Sequence, residues 1–137
     1  MSRKAVVFLV LSLIWMGVIF YFSAKPAYSS EAESDIFVKI FVSIGLDRFF
    51  DPDTLSFIVR KTAHAIEYTV LCLLLCPVFS DRKSPLFSAF SVALLYACTD
   101  EIHQFFVYGR ACRIFDICVD AVGCLIAIGI FSRITRK

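Results

Sequence analysis

Four long apolar runs separated by short polar segments set the pattern along the chain. Ala5 to Phe22 is eighteen residues interrupted only by Ser12 and Gly17, and a helix of about 20 residues crosses a hydrocarbon core of about 30 Å. Thr62 to Phe79 is the second run, broken by His64 and Glu67 near its start. Pro85 to Cys98 is the third, with Ser84 predicted as N-cap and Pro85 at the first helical position. The apolar part of this run is about 21 Å long as a helix. It completes a crossing only by continuing through Asp100, Glu101, His103 and Gln104. Phe115 to Phe131 is the fourth, interrupted by Asp116 and Asp120. The pattern predicts an all-α, polytopic membrane protein, a four-transmembrane-helix bundle with spans of about 5–23, 62–79, 85–106 and 114–132 in a single domain, 1–137.

Between the first two runs, Ile36 to Phe50 is apolar except for Lys39, Ser43, Asp47 and Arg48, the first three recurring at intervals of four. That spacing predicts an amphipathic helix in the first outer loop, lying in the membrane interface. Asp51-Pro52-Asp53 is expected to end it and turn the chain back. Composition agrees with the spans. Hydrophobic residues make up 59% of the 137 and charged residues 19%, against roughly 45–50% and about 25% in soluble domains. Fifteen Phe against five Gly and four Pro exclude a disordered or collagenous chain. The first apolar run is longer than a signal peptide's, and Phe22-Ser23-Ala24 is a poor cleavage site, so it reads as a retained span.

Charge orients the spans. Arg3 and Lys4 precede the first, Arg82 and Lys83 lie between the second and third, and Arg133, Arg136 and Lys137 follow the fourth. These segments hold seven of the fourteen basic residues and one acid, Asp81, a local charge of +6 that leaves −4 for the rest of the chain. By the positive-inside rule they face the cytoplasm. The expectation is a multi-pass membrane protein with both termini cytoplasmic, a long outer loop from Ser23 to about Lys61 and a short one from Val107 to Arg113. Short basic flanks of this kind give no reason to expect nucleic acid as a partner. Five of the six cysteines fall within spans and only Cys112 in an outer loop, without CxxC or His/Cys zinc spacing.

The polar residues inside the spans carry the candidate chemistry. Measured along each helix from its cytoplasmic end, Glu67 and His64 lie about 20 and 24 Å up, Asp100 and His103 about 24 and 29 Å, and Asp120 and Asp116 about 20 and 26 Å. Three helices thus put their ionisable groups into one layer in the outer half of the bilayer. Within each helix the groups share a face: Arg60, His64 and Glu67; Asp100, His103 and Gln104; Asp116 and Asp120. A charge facing lipid costs roughly 2.5–3.5 kcal/mol. The carboxylates of Glu67, Asp100, Glu101, Asp116 and Asp120 are therefore expected to face inward, into a hydrated pocket open to the outside, its mouth ringed by Arg60, Lys61, Arg110 and Arg113. His64 with Glu67, or Arg110 with Asp116, would alone be explained as an ion pair fastening the bundle. The whole layer is not.

At these residues the sequence resembles the VanZ-like family of small bacterial membrane proteins. Three blocks carry the resemblance: Ile19-Phe20-Tyr21-Phe22-Ser23-Ala24-Lys25-Pro26; Arg60-Lys61-x-x-His64-x-x-Glu67-Tyr68; and Asp100-Glu101-x-x-Gln104 with Gly109-Arg110, Asp116, Asp120 and Gly123. Tyr108 departs from the family's frequent Pro before Gly-Arg. The resemblance implies an association with resistance to glycopeptide antibiotics of the teicoplanin type, and names no reaction.

The residues themselves leave two classes of function open. One is a pocket that binds, or also transforms, an envelope lipid or lipid-linked wall precursor. In it Arg60, Lys61 and Arg110 hold a phosphate or carboxylate, and His64 or His103 moves a proton. Asp100, Glu101, Asp116 and Asp120 hold a divalent cation or poise one carboxyl as an acid. Glu67 and Gln104 complete the candidate set. No nucleophile motif accompanies them, and no lipid-phosphatase, H-E-x-x-H or G-x-S-x-G pattern is present. The other class is a non-enzymatic module that shields a target, senses an amphiphilic antibiotic or relays protons or ions. A relay needs polar groups reaching the cytoplasmic side, and almost none lie below Glu67 and Asp120.

Overall fold

The computed structural model describes residues 2–135, apart from the side chain of Glu31. The basic residues Arg136 and Lys137 invoked for orientation lie outside the described residues. Among the described residues there are five α-helices, α1 (Arg3–Ser23), α2 (Ala27–Ser43), α3 (Pro52–Val78), α4 (Pro85–Phe105) and α5 (Ile114–Thr135), with a 3-10 turn at Leu46–Arg48. Three of them, α1, α3 and α5, are long and apolar enough to cross a membrane. Helix α4 has 21 residues, but Asp100 and Glu101 dilute the apolar character of its last third.

The long helices run up and down. One end of the bundle carries the Arg82 turn between α3 and α4, and the other carries the Gly109 turn between α4 and α5. Helix α3 is the hub and packs against α1, α2, α4 and α5. The core is built from Ile19, Tyr68, Leu71, Cys72, Leu75, Cys76, Ala89, Ala93, Ala97, Cys124 and Ala127. Its α4 contribution is a stripe of alanines four residues apart, whose small side chains let helices approach closely. One turn further on, the same buried face continues as Asp100, Glu101 and Gln104. The outside is the reverse, with Val6, Val7, Val10, Leu13, Ile14, Leu125, Ile126 and Ile130 all exposed.

Long-range hydrogen bonds tie α1 down. Trp15 Nε1 donates to the Glu67 carbonyl at 2.9 Å, and Tyr96 Oη donates to the Met16 carbonyl at 2.6 Å. Gly123 sets the approach of α5 to α3. A Cβ there would run into the carbonyl of Ala65 and stand 3.1 Å from Thr69 Oγ1, the hydroxyl that bridges the Ala65 and Gly123 carbonyls.

The boundaries differ from the sequence pattern at three places, each with a local cause. The helix expected over Ile36–Phe50 is instead α2, which starts after Pro26 (φ −57°) and ends before Gly45, whose φ of 84° is left-handed. Pro at a helix start and Gly just past its end are the usual stops. Asp47 accordingly falls in the 3-10 turn and does not extend the Lys39–Ser43 stripe. Asp51-Pro52 starts a helix where the pattern had it ending one. Asp51 caps α3, accepting from Thr54 N at 2.9 Å and Thr54 Oγ1 at 2.7 Å, and these bonds hold its carboxyl below the usual range. Helix α3 therefore begins ten residues before the predicted span and is about 40 Å long at 1.5 Å per residue. Ser84 holds the N-cap position of α4, but its side chain makes no capping bond.

Close packing at Gly123 gives a paired test. Gly123→Ala is expected to destabilise the protein by about 1–3 kcal/mol through overpacking. Gly129→Ala, where nothing lies within 4 Å of the added carbon, should be neutral or slightly stabilising. Thermal unfolding followed by circular dichroism in detergent micelles separates the two.

Candidate functional site

Two adjoining cavities lie at the Gly109 end. The larger, about 220 Å³, is lined by Arg60, Lys61 and His64 of α3, Gln104 of α4, Arg110 and Arg113 of the following turn, and Asp116 of α5, with Ala27, Ser30 and Phe57. The smaller, about 140 Å³, lies between the last turn of α1, α2 and α3, against Phe22, Phe37, Val59, Glu33 and Glu67. Ser30, Arg60, His64 and Arg110 face both. Four basic residues therefore converge on the larger cavity, and the smaller one is apolar on one side and polar on the other.

The site is assembled by contacts between helices. Lys61 Nζ pairs with Asp116 Oδ1 across α3 and α5 at 2.5 Å, and the lysine lies 5.3 Å from the centre of the Phe57 ring. His64 Nδ1 and Glu67 Oε2 are 3.6 Å apart on one face of α3. Arg110 does not pair with Asp116, the ion pair the sequence suggested. Its Nε donates to the Lys25 carbonyl at 2.9 Å and its Nη2 to the Phe22 carbonyl at 3.3 Å, closing the C-terminal end of α1 as a cation there should. Burial pulls the Arg110 guanidinium below its ordinary range and Asp100 opposes the shift. It stays charged at physiological pH. Gly109 permits the turn twice over: its φ is 76°, and a Cβ would come within 3.1 Å of Ala27 Cβ. The Ala27 amide donates to the Tyr108 carbonyl beside it, so Tyr108 meets α2 through its backbone.

Not every candidate faces the cavities. Glu101 is 1% exposed and accepts the Arg113 amide at 2.9 Å, so it anchors the turn. Asp100 Oδ2 accepts from Gln104 Nε2 at 2.9 Å. Asp120 is 2% exposed and lines neither cavity. His103 is turned toward α1, its ring 4.4 Å from that of Phe20, one position round the helix from Gln104. Asp100 Oδ1, Asp120 Oδ1 and Tyr68 Oη are buried and meet no hydrogen-bond partner among the described residues. They are where the bundle can still accept or donate. Among the described residues no three His, Cys, Asp or Glu side chains converge to hold a metal ion. The carboxylates the sequence offered for a divalent cation are divided between separate partners.

A family model described as VanZ/LLP1 matches residues 8–135. The chain belongs to the VanZ/LLP1 family. No curated protein and no solved structure matches it. In the folded chain, contacts join the three blocks that resemble the family: Arg110 on the Phe22 and Lys25 carbonyls and Lys61 on Asp116.

Ser30, Glu33, Ser34 and Phe37 of α2, which line the smaller cavity, were not among the sequence candidates. Their spacing of i, i+3, i+4 and i+7 marks one helical face and was the available signal.

The Lys61–Asp116 pair yields a coupling prediction. Lys61→Met leaves a buried carboxylate unpaired and is expected to cost about 3–5 kcal/mol. The double change Lys61→Met, Asp116→Leu should recover most of that stability. Unfolding of the two single variants and the double variant measures the coupling, and purely additive effects would deny it.

Proposed function

We propose that the protein crosses the bacterial cell membrane four times, with both termini and the Arg82 turn cytoplasmic, and that its pocket opens in the outer leaflet. There it binds the anionic group of an envelope lipid or lipid-linked cell-wall precursor. Four helices of 21 to 27 residues, each about 30 Å or longer, support four crossings. For α4 the acidic last third is buried against its neighbours, so its sequence charge is not presented to lipid. The distribution of Lys and Arg supports the orientation.

The observation that carries the binding reading is the set of Arg60, Lys61, Arg110 and Arg113 around one cavity of about 220 Å³. Lys61 is matched by Asp116, and Arg110 is held by neutral backbone carbonyls, so its guanidinium keeps its positive charge at the cavity wall. Arginine forks suit phosphate and carboxylate oxygens. His64 and Glu67 stand beside the bound group with a proton to accept or give. A relay through the bundle has less support, because the core on the Arg82 side, from Leu71 to Leu75 and from Ala89 to Ala97, is apolar. Membership of the family supports extending the proposal to glycopeptide resistance of the teicoplanin type, with retention of a wall-precursor lipid as the physical event.

Native mass spectrometry of protein extracted from its own membrane tests the reading. Wild type should carry an anionic lipid, and Arg60→Gln with Arg113→Gln should lower its occupancy about tenfold. Charge-assisted hydrogen bonds are roughly twice as strong as neutral ones, and about 1.4 kcal/mol of binding free energy is a factor of ten in affinity. Equal lipid complements in wild type and variant would refute it.

A further inference from the structure

We infer that the ligand is a membrane-resident amphiphile with a phosphate head group, which enters sideways between α1 and α2 and keeps its chain in the smaller cavity. This rests on the anion-binding reading above and gives its ligand a tail and a path. The two cavities share a wall of Ser30, Arg60, His64 and Arg110, so they form one site with unlike ends. The cationic end suits a phosphate. At the other end, Phe22 of α1, Phe37 of α2 and Val59 and Ala63 of α3 supply apolar surface opposite Ser23, Glu33, Ser34 and Glu67.

That apolar end is open at the side. Helix α2 packs chiefly on α3 and on the turn that follows it, and the Lys25–Glu33 ion pair spans the loop between α1 and α2. Phe22 is 41% and Phe37 53% exposed, so aromatic side chains flank an opening toward the apolar outside of the bundle. A free phosphate or a tail-less phosphate ester would use the arginines and leave this surface without an occupant. Ligand sites are built of apolar walls with a few polar groups that fix orientation, and a lipid phosphate uses both ends.

The test employs full-length protein in phosphatidylcholine nanodiscs, with phosphatidic acid as the tailed probe and glycerol phosphate as the tail-less one. Phe37→Trp and Val59→Trp narrow the opening, Arg60→Gln weakens the head-group end, and Phe87→Trp, exposed at the other end of α4, is the control. Phe37→Trp and Val59→Trp are expected to weaken phosphatidic acid about tenfold or more and to change glycerol phosphate less than about twofold, the range a filled apolar pocket gives. Arg60→Gln should weaken both probes and Phe87→Trp neither. Phe37 is on the open side, so its variant carries the test if Val59→Trp fails to fold. Unchanged phosphatidic acid binding in Phe37→Trp, alongside weaker binding in Arg60→Gln, overturns the side entry and leaves the anion site standing. No change of either probe in Arg60→Gln overturns both.

Discussion

The Lys61–Asp116 ion pair joins α3 to α5 at the level where the bundle is apolar outside and charged within. A charge facing hydrocarbon costs several kcal/mol, and an unpaired charge in a protein interior costs at least as much. Most ionisable groups in this layer accordingly have a partner, whereas Asp120 is buried with one carboxyl oxygen that meets none among the described residues. Glu101 takes an amide of the Gly109 turn, Asp100 takes Gln104, Glu67 faces His64 and Arg110 takes the carbonyls that end α1. Two of these contacts, Lys61 with Asp116 and Arg110 with the end of α1, also tie together helices distant in sequence.

Two of the candidate residues, Glu101 and Arg110, have architectural tasks as well. Glu101 and Arg110 shape the turn that roofs the site, and Gly109 and Gly123 permit approaches that a side chain would block. The cationic lining is a consequence of this assembly. Asp116 is matched by Lys61, Glu101 by a backbone amide, and Arg60, Arg110 and Arg113 line the cavity beside them. The alanine stripe of α4, the cysteines of α3 and α5 and the leucines of α3 fill the bundle below it.

The four long helices and the common depth of their charged residues were legible in the sequence, since hydropathy and a rise of 1.5 Å per residue are enough to place both. Depth says nothing of rotation. His103 and Gln104 share a depth, yet the first packs on Phe20 and the second bonds Asp100, and only the positions of neighbouring helices decide which faces where. Partner choice was hidden for the same reason: Asp116 had Arg110 closer in sequence and found Lys61. The early start of α2 was signalled by Pro26 and by the face Ser30, Glu33, Ser34 and Phe37, but apolar periodicity begins only at Ile36 and drew the predicted helix too late.

A pocket that meets lipid of the outer leaflet has to open outward. Labelling of intact cells with a membrane-impermeant maleimide tests this most directly, using the natural Cys112, exposed beside the pocket, and Arg82→Cys in a Cys112→Ser background. Cys112 should react in intact cells and the Arg82→Cys thiol only after permeabilisation. Labelling of the Arg82→Cys thiol in intact cells, with Cys112 protected, would contradict it.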